Sequence, residues 1–386
     1  RTSELVRNTL SVGVSPTFFN NRLRVDINLK GAIAKNRFPD GGAVGGAVTF
    51  DPTRPVRDPA AEFQPFGGYF EFLNGSTPNT LSPTNPVSLL NSRNDRSTVQ
   101  RSIGNIQFDL KIPGVEGLRA NYNLGYDLQR GDQTTIVDPL SRPGYRSLSR
   151  AGLNGTTTIS SQNRNTWLNE FYLAYNHDFD KAGRIDVVAG YSYQNFFRKN
   201  PFDQPFSSNN APVAGTTINA DIPYFKAQYA LQSYYGRVNY AFRNRYLLTA
   251  TLRADQSSRF APKYRTGYFP AVGLGYRLKE ESFLRDVAII SELKLRASYG
   301  QTGQQDIGTD FAAYYGFKPV YTFGNPTASY PFGSNAITTI RPEGYIGDRR
   351  WETTTTYDFG LDYGFGSNGR FSSGLANSSN RAITRQ

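Results

Sequence analysis

From Leu118 onward, apolar and polar residues alternate without a break. Leu118, Ala120, Tyr122, Leu124, Tyr126 and Leu128 fall on one face; Arg119, Asn121, Asn123, Gly125, Asp127 and Gln129 fall on the other. A helix would scatter both sets around its axis, whereas a strand separates them. The pattern returns at Leu23–Lys30, at Asn105–Ile112, at Tyr246–Arg253, at Leu293–Gly300 and at Tyr357–Phe365. Period-2 alternation of this length predicts half-buried strands. Twelve are expected: 8–18, 22–36, 99–112, 117–131, 166–179, 184–197, 227–242, 245–257, 264–278, 292–304, 353–365, and a weaker one from 370.

Short and long connections alternate between these strands. Tight turns are expected at Asn20-Asn21, Pro113–Glu116, Asp180–Gly183, Arg243-Asn244 and Gly366–Gly369. Long connections cover 37–98, 132–165, 198–226 and 305–352, with a shorter one at 258–263 on the same side by parity. The segment 279–291 is longer than its class and is expected to hold a small helix around Lys279–Phe283. Long loops without structure count against a compact soluble domain. When all of them fall on one side of a strand meander, they match an outer-membrane barrel, with short periplasmic turns and long external loops. The expected fold class is therefore all-β, a transmembrane antiparallel β-barrel of which about twelve strands are seen.

Composition agrees. The chain has 386 residues, only 38% of them hydrophobic, yet 25 are Tyr and 27 Phe, with 37 Gly for turns. No run of 18 apolar residues exists, which excludes helical spans but leaves open strands of about 9–11 residues. Clusters such as Tyr191, Tyr193, Phe196 and Phe197 resemble an interfacial aromatic girdle. The opening "RTSELVRNTL" has no apolar core and does not read as a signal peptide. The net charge of +12 comes from Lys and Arg dispersed along the chain, with no basic run or reader motif. Nucleic acid is therefore not an expected partner, and outer-membrane lipid is.

Chemistry-bearing residues are sparse. The single imidazole, His177, sits where a strand runs into a short turn and is read as a periplasmic surface residue. With no Cys and no second His to build the usual site, it is not read as a general base or a metal ligand. The loop acids Asp306 and Asp310 lack EF-hand spacing, so no metal, cofactor or catalytic residue is assigned. "GGAVGGAVTF" lacks the Lys and Ser/Thr of a phosphate loop and is read as a close-turning stretch of a long loop. "DPTRP", "TPNTLSPTNP" and "PFDQPF" are read as irregular external loop. The loop aromatics are the candidate substrate-binding residues: Phe66, Tyr69, Phe70 and Phe72 in the first long loop, and Tyr314, Tyr315, Tyr321 and Tyr330 in the last. Phe202 and Phe206, with Phe317 and Phe323, extend the same theme. Such rings stack on sugars or grip peptide side chains, and they also pack loops together.

Several stretches together resemble a known family. They are "LRVDINLKGAIAKNRFPDGGAVGGAVTFDPTRPV" at 23–56, "FGGYFEFL" at 66–73, "NPVSLLNSRNDRSTVQRSIGNIQFDL" at 85–110 and "FRNRYLLTATLRADQSSRF" at 242–260. "FPAVGLGYRL" at 269–278, "LKLRASYGQTGQQDIG" at 293–308 and "WETTTTYDFGLDYGF" at 351–365 are the most distinctive. The set resembles the barrel of a SusC/RagA-type TonB-dependent transporter of the Bacteroidota. That resemblance implies a 22-stranded barrel, a plug domain and a TonB-contacting N-terminal segment; the latter two are not visible in 1–386. Residues 1–365 then form a partial barrel, and 366–386 a tail that departs from the expected strands and is read as non-contiguous barrel segments. The family imports oligosaccharides or peptides, covered by a SusD-like surface lipoprotein and energised by the TonB–ExbB–ExbD complex, and transporter–lipoprotein pairs can dimerise. The polar-face residues Arg119, Asp127, Arg253 and Arg296 would border plug or lumen. A passive porin is the alternative, and an enzyme and a soluble carbohydrate-binding module rank below it.

Overall fold

The computed structural model describes residues 3–145, 154–201, 206–207, 224–306, 314–323, 329–342, 344–366 and 371–383. Twelve long strands make one antiparallel sheet in sequence order. They are β1 (Glu4–Val14), β2 (Leu23–Phe38), β3 (Arg93–Lys111), β4 (Leu118–Val137), β5 (Thr156–Asp178) and β6 (Arg184–Pro201). Then follow β7 (Tyr224–Phe242), β8 (Tyr246–Ser257), β9 (Thr266–Arg277), β10 (Ile290–Gln304), β11 (Glu352–Phe365) and β12 (Phe371–Ile383). Each strand pairs with its sequence neighbours; among the described residues β1 and β12 do not pair with each other, so the sheet is an open sector.

The register aligns like with like. Val25, Phe108, Tyr122, Phe171, Tyr191 and Tyr234 stand directly opposite one another across β2 to β7. One residue along, Asp26, Gln107, Asn123, Glu170, Ser192, Ser233 and Asp255 form a polar row on the other face. A one-residue slip in any strand would mix the two rows, so the alternation itself specifies the register. Among the described residues the apolar face has no second layer: Phe359 is 65% exposed, Leu274 57% and Trp167 54%. A soluble sandwich would bury this face against another sheet about 10 Å away. Here it is left for hydrocarbon, and the polar face for the lumen.

Aromatic rings bracket the apolar band. At the turn side Tyr246 stacks on Tyr276 with centroids 5.0 Å apart, and Tyr363 meets Phe365 at 5.6 Å. At the loop side Tyr126 meets Trp167 (6.0 Å), Tyr191 meets Tyr234 (5.1 Å) and Tyr299 meets Tyr357 (5.2 Å). Along β11, Tyr357 and Phe365 are separated by about 26 Å of strand, close to the band expected of such a barrel. His177 lies in the turn-side belt, stacked on Tyr175 and edge-on to Phe179 at 4.5 Å.

The expected turns at Asn20-Asn21, Pro113–Glu116, Asp180–Gly183 and Arg243-Asn244 hold, and the one expected at Gly366–Gly369 lies, beyond Gly366, outside the described residues. Arg243 and Asn244 both take positive φ (51° and 55°), the geometry of a tight hairpin whose twist suits the flanking strands. The segment after β9 contains a short helix at Ser282–Arg285, with Lys279 Nζ donating to the carbonyls of Leu284, Arg285 and Val287. Three expectations need correction. The first strand spans Glu4–Val14, not 8–18, because Pro16 cannot donate to the ladder and only Thr17–Phe18 pairs beyond it. β3 to β6 run four to ten residues further on the loop side than the alternation suggests, with β5 reaching Thr156. There both faces are wet, so β-branched Thr156, Thr157 and Thr158 keep the strand while the alternation vanishes. The Gly-rich stretch is not an open turn: Gly42–Thr49 is an α-helix inside a structured first loop.

Candidate functional site

The polar face carries matched charges. Arg101 Nε donates to Asp127 at 2.8 Å, Arg119 Nε to Asp109 at 3.0 Å, Arg253 Nε to Asp255 at 2.7 Å and Arg296 Nη2 to Asp362 at 2.8 Å. All four residues expected at the lumen are thus in ion pairs on that face. Three of the pairs brace neighbouring strands, while Arg253–Asp255 lies within β8 and Arg253 Nη2 also donates to Ser233 Oγ on β7 at 2.8 Å. Gly360 leaves room for this bracing: a Cβ there would sit 3.1 Å from Arg296 Nη2.

Above the sheet, the first long loop has its own core. It runs through the Gly42–Thr49 helix, a 3-10 turn at Ala61–Phe66, a small hairpin and a helix at Pro86–Ser92. The sequence dictates the local folds. Asn85 caps the last helix, accepting from Val87 N (3.0 Å) and Ser88 N (3.3 Å), with Pro86 at its first position. Gly67 and Gly68 take φ of 67° and 72°, turning the chain back so that the Leu140 carbonyl of the next loop approaches Gly67. A Cβ at Gly67 would lie 2.9 Å from that oxygen.

A buried ion pair locks these two loops. Arg142, from the connection after β4, reaches Glu71 Oε2 at 3.1 Å, and their side chains are 10% and 0% exposed. The guanidinium also donates to the carbonyls of Pro83 (2.8 Å), Asn79 (2.6 Å) and Ser82 (2.7 Å). Burial pushes the Glu71 carboxyl above its ordinary 4.5, and the Arg142 bond partly opposes that rise.

The candidate aromatics divide by location. Phe66 is fully buried and meets Tyr145 of the next loop at 5.4 Å. Tyr69 is buried, with Arg57 stacked 4.2 Å over its ring and bonded to its hydroxyl. Phe70 and Phe72 are half-buried and form a cluster with Phe50 and Phe63. Tyr314 is buried, and Tyr315 bonds both backbone groups of Gln228 on β7. Tyr321 and Tyr330 are 69% and 62% exposed. Phe202 and Asp310 lie outside the described residues.

A second anchor was not expected from the sequence. Arg259, only 3% exposed, lies between the rings of Tyr229 (4.1 Å) and Tyr314 (4.7 Å) and pairs with Asp306 at 2.8 Å. Beside it Trp351 donates Nε1–H to the Arg265 carbonyl (2.8 Å) and packs on Phe260 and Phe269. This pins both ends of the last long loop to the sheet. The sequence signal was faint: "SSRF" and "RRWE" carry an Arg and a Trp at loop–strand junctions, where an unpaired apolar ring or charge needs a partner.

The TonB dependent receptor-like, beta-barrel family matches residues 38–376. The chain belongs to that family. The receptor named TonB-dependent receptor SusC, from Bacteroides thetaiotaomicron, is 38% identical over 388 residues, covering 97% of this chain and 37% of that protein. TonB-dependent receptor P3 of Formosa agariphila is 30% identical over 221 residues, 56% of this chain and 21% of its own length. Among solved structures, the RagAB peptide importer in its "open-open" state superposes with a TM-score of 0.73 at 20% identity, covering 98% of this chain and 40% of that one. The unliganded ferric citrate transporter FecA superposes at 0.53 and 12% identity, covering 99% of this chain and 44% of that one. The chain thus spans well under half the length of the relatives it matches. It is an outer-membrane β-barrel sector of the SusC type, and the relatives named are receptors and transporters rather than enzymes.

Proposed function

We propose that the full protein actively imports oligosaccharides or peptides across the outer membrane, driven by TonB–ExbB–ExbD and covered by a SusD-like lipoprotein. The observation that carries this is the 38% identity to a SusC receptor over 97% of the chain. The sheet adds physical support. One face suits lipid, the other is a charged lumen wall, and the external loops are braced by buried ion pairs rather than left loose. A solute-binding mouth needs such pre-organisation, because ordering loops on binding weakens affinity. In this reading Phe66, Tyr69, Phe70 and Phe72 hold the first loop in shape. Tyr314 and Tyr315 seat the last loop, and the exposed Tyr321 and Tyr330 are the rings offered to solute. The test is uptake by cells carrying the full protein, with TonB present or deleted. Accumulation of an oligosaccharide or peptide that stops without TonB supports import; accumulation that persists identifies a passive porin.

A further inference from the structure

We propose that the loop-side mouth of the lumen holds a subsite for a carboxylate-bearing sugar ring, so that the solute is an acidic oligosaccharide. The inference rests on the import reading. Arg164 on β5 and Arg198 on β6 are direct register partners on the lumen face. Their Cβ atoms are then about 5 Å apart, a placement that like charges disfavour. Among the described residues neither has a carboxylate partner; Arg198 donates from Nε (3.1 Å) and Nη2 (2.9 Å) to the neutral Asn200 amide oxygen, and Arg164 makes no side-chain bond. The contrast with the rest of that face is sharp. Lower down, Asp109, Asp127, Asp255 and Asp362 are each already held by an arginine. The lumen wall therefore carries a local positive excess where its upper rim begins.

The two arginines line a cavity of about 220 Å³ together with Thr166, Phe196, Ala227, Tyr229 and Tyr314. That is room for one ring rather than a chain, since whole-ligand pockets run from about 300 Å³ upward. Phe196 and Tyr229 are stacked with centroids 4.5 Å apart, and Tyr314 lies 5.7 Å from Tyr229. Arg259 is already held between Tyr229 and Tyr314, so the buried wall is rigid while Arg164 remains exposed and available. Two forked guanidiniums suit a bidentate carboxylate, and flat rings beside them suit the apolar face of a pyranose.

The test uses the full-length protein in detergent, with tetragalacturonate, its methyl ester and tetraglutamate as probes. We expect the acid to bind about tenfold tighter than the ester, and its binding to weaken with salt. An Arg164→Gln/Arg198→Gln variant should lose that preference with ester binding unchanged, and the double Lys variant should keep it. Equal binding of acid and ester by the unaltered protein overturns the proposal, as does a preference that survives in the Gln variant. Tetraglutamate bound as tightly as tetragalacturonate overturns the sugar assignment. Failure of the import reading would show differently, as no TonB-dependent accumulation of any probe. Failure of this inference alone leaves accumulation intact and indifferent to charge.

Discussion

Removing Arg142 should open the first external loop while leaving the barrel closed to exchange. The guanidinium neutralises Glu71 and bonds three backbone carbonyls, and both side chains are almost out of water. In Arg142→Ala the carboxylate stays buried beside those orphaned carbonyls, a defect costing about 3–5 kcal/mol. Each 1.4 kcal/mol is a factor of ten, so local opening should rise by about two to four powers of ten. Hydrogen exchange reads this directly at Asn85 N, which donates to Glu71, and at Leu89 N, which donates to Asn85 O. Amides of β3 and β4 serve as the unchanged reference. Glu71→Gln should cost less, about 1–2 kcal/mol, because Arg142 keeps the carbonyls of Asn79, Ser82 and Pro83 as acceptors for its charge. The sign of the pH effect follows from burial. The Glu71 carboxyl is raised above 4.5 in the folded loop, so its stabilising contribution is complete below 4.5 and is lost as pH rises through the raised value. Without Arg142 the rise is unopposed, so Arg142→Ala should recover protection on acidification, and Glu71→Gln should abolish that dependence. Loop exchange that is the same in Arg142→Ala and the parent, or a variant that acid does not rescue, would refute this reasoning.

Other outcomes follow from the two faces and the second anchor. Leu274→Arg, on the lipid face, should destabilise the folded barrel by about 2–4 kcal/mol in urea titrations in vesicles, while Thr251→Arg on the lumen face should be nearly neutral. Gly190→Val should lower the thermal midpoint, because a Cβ there would lie 2.6 Å from Tyr235 and 2.7 Å from Tyr172; overpacking of this kind costs about 1–3 kcal/mol. Arg259→Ala should remove two ring contacts worth about 2 kcal/mol together and speed proteolysis within 305–352, with strand protection unchanged.

The transmembrane part of the fold was readable because lipid and lumen impose opposite demands on successive residues. Where that contrast ends, the reading ends too. The upper half of β5, from Thr156 to Arg164, lies in water on both sides, and no period marks it. The helix at Gly42–Thr49 was hidden for a different reason: four of its first five residues are Gly or Ala, apart from Val44, and glycine disfavours helix unless tertiary contact supplies the stability. That contact comes from the Pro86–Ser92 helix, against which Gly46 packs closely enough that a Cβ would lie 3.8 Å from Pro86. The loop aromatics were visible as a cluster. Their division into packed rings (Phe66, Tyr69, Tyr314) and exposed ones (Tyr321, Tyr330) depends on tertiary partners, more than 70 residues away for Phe66 (Tyr145) and Tyr314 (Tyr229).

The two kinds of ion pair in this chain do different work, and their burial shows why. On the lumen wall the Arg101–Asp127 and Arg296–Asp362 side chains are between 23% and 46% exposed, so water screens them and each adds little to stability. Their value is to satisfy a charged wall between neighbouring strands, so each strand pair is complete as soon as it zips. The Arg142–Glu71 and Arg259–Asp306 pairs instead join separate external loops, and each has at least one partner nearly out of water. Losing Arg142 strands a buried charge on Glu71, and losing Asp306 strands one on Arg259, so the penalty is large and local to the loops. The sheet edges at β1 and β12 pose the remaining demand. Unpaired backbone is not tolerated in hydrocarbon, so spanning requires further strands on both edges. The face pattern is indifferent to how many strands close the ring; the loop anchors are not, because they lie wholly within this sector and hold its mouth in shape however the circle is completed.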